Sequence, residues 1–148
     1  MPKSSSSDAV TPDVAYVALG SNLGDRAAYL ARAREALALI PGARVVGESS
    51  IEETAPLGPI AQGPFLNQMV ALETMLTPGE LLEALHDIEL QCGRVRGERW
   101  GPRTIDLDLV LMERQRSDDA HCRVPHPELV HRAFWLRELA ELRSVSVE

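Results

Sequence analysis

Hydrophobic and polar positions change period several times along the chain, and each change marks an element. Residues 14–19 form a short apolar run that stops at G-S-N-L-G-D (20–25), a turn-rich segment able to cap a following helix. Leu30, Ala33, Leu37 and Ile40 then recur at three- and four-residue intervals, the apolar stripe of a helix that Pro41-Gly42 terminates. A second strand is expected near 44–53. The stretch 55–64, A-P-L-G-P-I-A-Q-G-P, is too long and too rich in proline and glycine for a tight hairpin, and loops of that kind usually serve function. A third strand reads at 66–74. Thr77-Pro78-Gly79-Glu80 then supplies an N-cap, a proline at the first helical position and a capping-box glutamate. The helix so started has the stripe Leu81, Leu85 and Ile88, and Gly93 sits where a left-handed terminal residue belongs. Strict alternation returns at 104–112, with Ile105, Leu107, Leu109 and Leu111 on one face and Asp106 with Asp108 on the other. A variable stretch, 113–123, and a helix around 134–142 complete the pattern.

The order β-α-β-β-α-β predicts a ferredoxin-like α+β sandwich with C-terminal additions, its strands antiparallel and its helices on one face. The other face is then left for a ligand. With 148 residues the chain is long enough for a real core, so residues 13–148 are expected to form one domain behind a disordered polar tail, 1–12.

Charge sharpens this picture. The formal net charge is −7, yet residues 94–103 hold four arginines against a single glutamate, Glu98. An acidic chain with one basic loop suits a small anionic ligand rather than nucleic acid, whose backbone demands a broad basic face. Lys3 is the sole lysine, so a Walker-type phosphate loop and a Schiff-base mechanism are both excluded by inventory. Cys92 and Cys122 form no C-x-x-C, and the spacings of His121, Cys122, His126 and His131 match no standard zinc finger. No apolar leader or membrane-length run is present, and a reducing cytoplasm suits the two thiols.

The aspartates carry the chemistry. On a strand, Asp106 and Asp108 have Cα atoms about 6.6 Å apart and point the same way. Two like charges so close are costly unless cations compensate, and magnesium, which takes oxygen ligands and completes its shell with water and substrate phosphates, is the fitting one. Guanidiniums of the neighbouring loop would clamp those phosphates bidentately. Taken alone, a D-x-D pair is more often the solvent face of an amphipathic strand, and phenylalanines such as Phe65 and Phe134 are by default core residues.

Several motifs together go further. The chain resembles the 6-hydroxymethyl-7,8-dihydropterin pyrophosphokinases of folate biosynthesis over residues 15–142. The resemblance rests on R-W-G-P-R-T-I-D-L-D-L-V (99–110), supported by A-L-G-S-N-L-G-D (18–25), P-L-G-P (56–59), F-L-N (65–67), G-R-V-R (93–96) and V-P-H-P (124–127). It implies transfer of pyrophosphate from ATP to a pterin alcohol with release of AMP. By the same mapping Asp106 and Asp108 would hold two magnesium ions. Arg94, Arg96, Arg99 and Arg103 would belong to a loop closing over both substrates, with Trp100 sealing it. Glu89, His126 and Arg132 would lie along the ATP site. Pterin would stack between Phe65 and Phe134, its amide edge meeting Thr54, Asn67 and backbone near Leu57. His86, Pro127 and a shortened arginine segment with Gly97 depart from the family pattern. A monomer acting on small molecules is implied, without nucleic-acid or membrane partners. A reading from another class is a catalytically idle ferredoxin-like module that retains nucleotide or pterin affinity.

Overall fold

Among the described residues five strands form one antiparallel sheet: four carry apolar residues at sheet period, and the fifth, Glu52–Thr54, is held by pairing along its neighbour. The computed structural model describes residues 11–56, 58, 62–93 and 104–146. Strand β1 (Asp13–Ser21) leads to helix α1 (Arg26–Ala38), followed by β2 (Ala43–Glu48), β3 (Glu52–Thr54), β4 (Phe65–Thr74), helix α2 (Pro78–Gln91) and β5 (Asp106–Met112). A small hairpin of β6 (Ser117–Asp119) and β7 (Cys122–Val124) precedes a 3-10 turn at Leu129–His131 and helix α3 (Ala133–Ser146). The sheet order is β2-β4-β1-β5, with β3 pairing β4 beyond the end of β2. Placing β4 between β1 and β2 is the split βαβ arrangement of the ferredoxin-like fold.

Local signals are realised where they were strongest. Thr77 and Glu80 exchange backbone and side-chain hydrogen bonds at 2.9 and 3.2 Å, a complete capping box. Asp25 caps α1 by accepting from the Ala28 N–H. Gly42 and Gly93, which follow the two helices, have φ of +83°, the left-handed backbone that suits glycine. The stripes of α1 and α2, Leu30, Ala33, Leu37, Leu81, Leu85 and Ile88, are buried against Val17, Leu19, Leu72, Leu107 and Leu109 of the sheet. Each fully buried leucine contributes about 1.5–3 kcal/mol.

Three expectations need correction. The strand read at 44–53 is two strands, broken at Ser49. The buried Ser49 hydroxyl accepts from the Met69 N–H at 2.8 Å, so a side chain stands in for a backbone carbonyl of the ladder. Leu111 does not share a face with Ile105, Leu107 and Leu109. A bulge opposite Tyr16 and Val17 inserts Val110, after which Leu111 packs on the far face and Met112 takes the helix-covered one. The stretch 113–123 is not featureless but contains the β6–β7 hairpin, whose turn is held by the Asp119 side chain accepting from the His121 N–H.

The far face is also not left open along its whole length. Tyr16, Ala18, Met69, Ala71, Val110 and Leu111 make half of it apolar, and Trp135, Leu139 and Leu142 of α3 cover them in a second core. The helix lies close: a Cβ at Gly47 would come within 3.3 Å of Leu142 Cδ2. Polar contacts fasten it, with Arg143 bonding both oxygens of Glu113, Glu141 accepting from the Ser50 N–H and hydroxyl, and Arg137 paired to Glu52 at 2.9 Å. Beyond this second core, among the described residues, the same face carries polar side chains: Asp106, partly exposed, and Asn67, buried beside Thr54.

Candidate active site

Register aligns the polar residues. Asp106 pairs with Gly20, Gly20 with Asn67 and Asn67 with Glu52, so one row runs across β5, β1, β4 and β3. In the next row Asp108 lies opposite Ala18 and Ala18 opposite Met69. Asp106 and Asp108 are both partly exposed, while Leu107 between them is buried on the other face. The alternation read from the sequence therefore holds here.

Edge strand β5 is anchored by a carboxylate. Among the described residues it pairs with β1 alone. Its outward Leu107 N–H is taken by Glu89 Oε2 of α2 at 2.7 Å, in a buried setting. Satisfying an edge donor with a charged acceptor fixes the backbone between the two aspartates. Glu89 thus acts on strand geometry, whatever else it touches.

Past β7 the chain passes through a cis Val124–Pro125 bond to His126, whose backbone N–H donates to the Val110 carbonyl at 2.8 Å. His126 Nδ1 accepts from the Glu128 N–H at 3.0 Å. The ring proton of the neutral form is thereby placed on Nε2, which lies 3.7 Å from Asp108 Oδ1. Burial, then the nearby Arg132 charge, hold the imidazole below its ordinary pKa of 6.5. Trp135 organises this corner. Its ring meets His126 edge-on at 5.0 Å and carries the Arg132 guanidinium 4.4 Å above its face. Arg132 Nε is buried with no hydrogen-bond partner among the described residues.

The other end of the row is a polar ledge. Asn67 Nδ2 donates to Thr54 Oγ1 at 2.6 Å, and Thr54 pairs in register with Phe65. Gly20 makes the floor between ledge and aspartates. A Cβ there would stand 3.3 Å from Asn67 Oδ1 and 3.4 Å from Phe65 Cδ2. Phe134, in the first turn of α3, is half-buried and meets Trp135 edge-on at 6.2 Å. Phe65 and Phe134 make no direct ring contact with each other among the described residues.

Of the residues expected to act, Thr54, Phe65, Asn67, Asp106 and Asp108 share one sheet face, and His126 approaches Asp108. Leu57, Arg94, Arg96, Arg99, Trp100 and Arg103 lie outside the described residues. Two contributors escaped the sequence reading. Gly20 read only as a turn residue, since its close packing against Asn67 and Phe65 depends on register with β4. Trp135 left a trace, the apolar spacing of 135, 139 and 142, but its edge-on contact with the His126 ring is a tertiary fact.

Comparison with known proteins bears on the same residues. A family model described as 7,8-dihydro-6-hydroxymethylpterin-pyrophosphokinase matches residues 16–144. The chain belongs to that family. It is 47% identical to the 2-amino-4-hydroxy-6-hydroxymethyldihydropteridine pyrophosphokinase of Bacillus subtilis over 133 residues, covering 88% of this chain and 78% of the relative. The enzyme of the same name from Methylorubrum extorquens is 49% identical, with 86% and 81% covered. That of Pseudomonas aeruginosa is 46% identical, with 86% and 78% covered. Among solved structures, Plasmodium falciparum HPPK-DHPS superposes with a TM-score of 0.65 at 13% identity, over 88% of this chain and 41% of that longer one, which bears on the fold. The pyrophosphokinase family is thus identified by sequence, and its ferredoxin-like architecture by structure.

Proposed function

We propose that the row from Asp106 to Asn67 is where the family reaction takes place: the pterin's hydroxymethyl oxygen attacks the β-phosphorus of ATP. The O–P bond to the pterin forms as the bond to the AMP oxygen breaks, giving pterin diphosphate and AMP, a step of folate biosynthesis. The observation that carries this reading is the register. Asp106 and Asn67 are two strand spacings apart, about 10 Å, across a glycine against which Asn67 Oδ1 and the Phe65 ring pack closely. Polyphosphate at one end and a two-ring heterocycle at the other fit that span.

The donor set suits magnesium: two partly exposed carboxylates on one face, leaving coordination positions for water and phosphate oxygens. Bound there as two ions, it would neutralise the polyphosphate and lower the pKa of the attacking hydroxyl. The chain's own groups do the positioning. Glu89 holds the backbone between the aspartates, and His126 offers an Nε2–H beside Asp108. Arg132, braced on Trp135 with its Nε unpartnered by any described residue, is suited to a phosphate oxygen.

At the ledge, Asn67 and Thr54 supply fixed polar groups for the pterin amide edge. Phe65 and Phe134, not stacked on each other, are free to flank its plane at about 0.5–1.5 kcal/mol per stack. Arg94, Arg96, Arg99 and Arg103, with Trp100, would close over both substrates and exclude water, and Leu57 would add backbone contacts. No general base is assigned, because this chemistry rests on positioning and charge neutralisation. The enzyme is taken to work as a cytoplasmic monomer on small molecules, residues 13–148 forming its one domain. Among the described residues no helix is long and apolar enough to cross a membrane. Incubation with magnesium, ATP and reduced hydroxymethylpterin tests the reading: AMP and pterin diphosphate are expected, and ADP in place of AMP would overturn it.

A further inference from the structure

Thr54 and Phe65 face each other across β3 and β4, and the proline-rich segment 55–64 runs from one to the other. The spacing of these two residues therefore sets how a polar edge and a stacking ring are presented. Both sides of that mouth are gripped from outside the sheet. Arg26 Nη1 donates to Glu53 Oε2 at 2.8 Å and to the Pro64 carbonyl at 2.9 Å, the residues immediately before Thr54 and Phe65. Asn22 Nδ2, four residues earlier, donates to Gln62 Oε1 at 2.6 Å and to the Gly63 carbonyl at 3.2 Å.

Helix formation does not explain an arginine here. Arg26 is the first residue of α1, where a cation opposes the helix dipole, and the first turn holds no acidic residue. Stability does not explain it either, since the Glu53 side chain is half-exposed and such ion pairs contribute little. What the arginine does uniquely is bridge the two sides of the mouth with one nitrogen.

We propose that Arg26 is a positioning residue for the pterin: through Glu53 and the Pro64 carbonyl it sets the distance between Thr54 and Phe65 without touching substrate. The inference rests on the pterin reading of that ledge. Small misplacements of binding groups carry large penalties in affinity and rate. Arg26→Ala is expected to raise the pterin KM, and the Kd for an unreactive pterin analogue measured by calorimetry, about tenfold. The ATP KM and the melting temperature should stay within error. Arg26→Lys, which keeps the charge and can reach one acceptor, should recover part of the loss, and Glu53→Gln should lose less than Arg26→Ala.

Phe65→Ala is measured alongside. Weaker pterin binding in Phe65→Ala with none in Arg26→Ala overturns the clamp and leaves the ledge standing. No effect in either overturns both. Equal losses for ATP and pterin in Arg26→Ala, or a collapse of its melting temperature shared by Glu53→Gln, would show a merely structural role and also overturn the proposal.

Discussion

The two faces of the sheet use the same strands differently. On the helix-covered face, Leu19, Leu72, Leu107 and Leu109 continue one unbroken apolar core under α1 and α2. On the other, Tyr16, Ala18, Met69, Ala71, Val110 and Leu111 form an apolar patch under α3. One row further the strands switch to Asp106, Gly20, Asn67 and Glu52. Since alternation gives each strand both faces, the fold can be held by one set of positions while the other is released for chemistry. The comparison teaches that the proposed site is the part of the second face whose described residues lie outside the apolar core under α3.

The sharpest way to break that division is Asp106→Asn. Turnover measured as AMP release should fall by several orders of magnitude, while the melting temperature holds or rises as repulsion with Asp108 is relieved. A melting temperature that drops with activity would place Asp106 in the structural half instead. Leu85→Ala is the converse experiment. Emptying the space it fills under the sheet should cost about 2–5 kcal/mol in denaturant unfolding, with both substrate KM values unmoved in the folded enzyme. Gly20→Val probes the floor. Its branched side chain would crowd Asn67 and Phe65, so pterin KM should rise roughly ten- to a hundredfold with little change for ATP.

The smallest expected effect concerns the seam where the two halves of the second face meet. Glu138 of α3 is 2% exposed, and its carboxylate makes no well-formed hydrogen bond among the described residues. Burial first, then the facing Glu52 carboxylate, with a further contribution from Glu141 and opposition from Arg137, push its pKa up to about 8. A carboxyl raised above its ordinary 4.5 favours the fold while protonated, and that advantage is lost as pH climbs from about 4.5 toward 8. Glu138→Gln cannot ionise. Its melting temperature should match the parent near the acid end and exceed it by several degrees above about pH 8. Equal melting curves at both ends would show that Glu138 is solvated in the folded protein.

How much of this was legible depends on how far apart the partners are in the chain. The capping box at Thr77 and the glycine at 93 involve neighbours within one turn, and both were readable. So was the shared face of Asp106 and Asp108, because alternation is a property of a single strand. Leu111 was misplaced because the bulge beside Val110 exists only in register with Tyr16 and Val17. The break at Ser49 was invisible for the same reason, its hydroxyl being claimed by a backbone amide of β4. The resemblance placed Glu89 along the ATP site, but its hold on the Leu107 N–H of β5 joins residues 18 positions apart and is visible only in the fold. The family motifs identified the chemistry without any of these contacts, since a motif records residues and not the distances between them.

By itself, then, the chain's residue order determined the three helices and the strands β1, β4 and β5, which two carboxylates share a face, and which family of catalysts it resembles. All of these follow from short-range sterics and periodicity, or from matching letters. Tertiary structure alone decided that α3 covers the apolar part of the second face, that Gly20 lets Asn67 and Phe65 pack close beside the aspartate strand, and that Arg26 reaches across to Glu53 and Pro64. Those are contacts between residues far apart in sequence, and their geometry comes into being only when the sheet assembles.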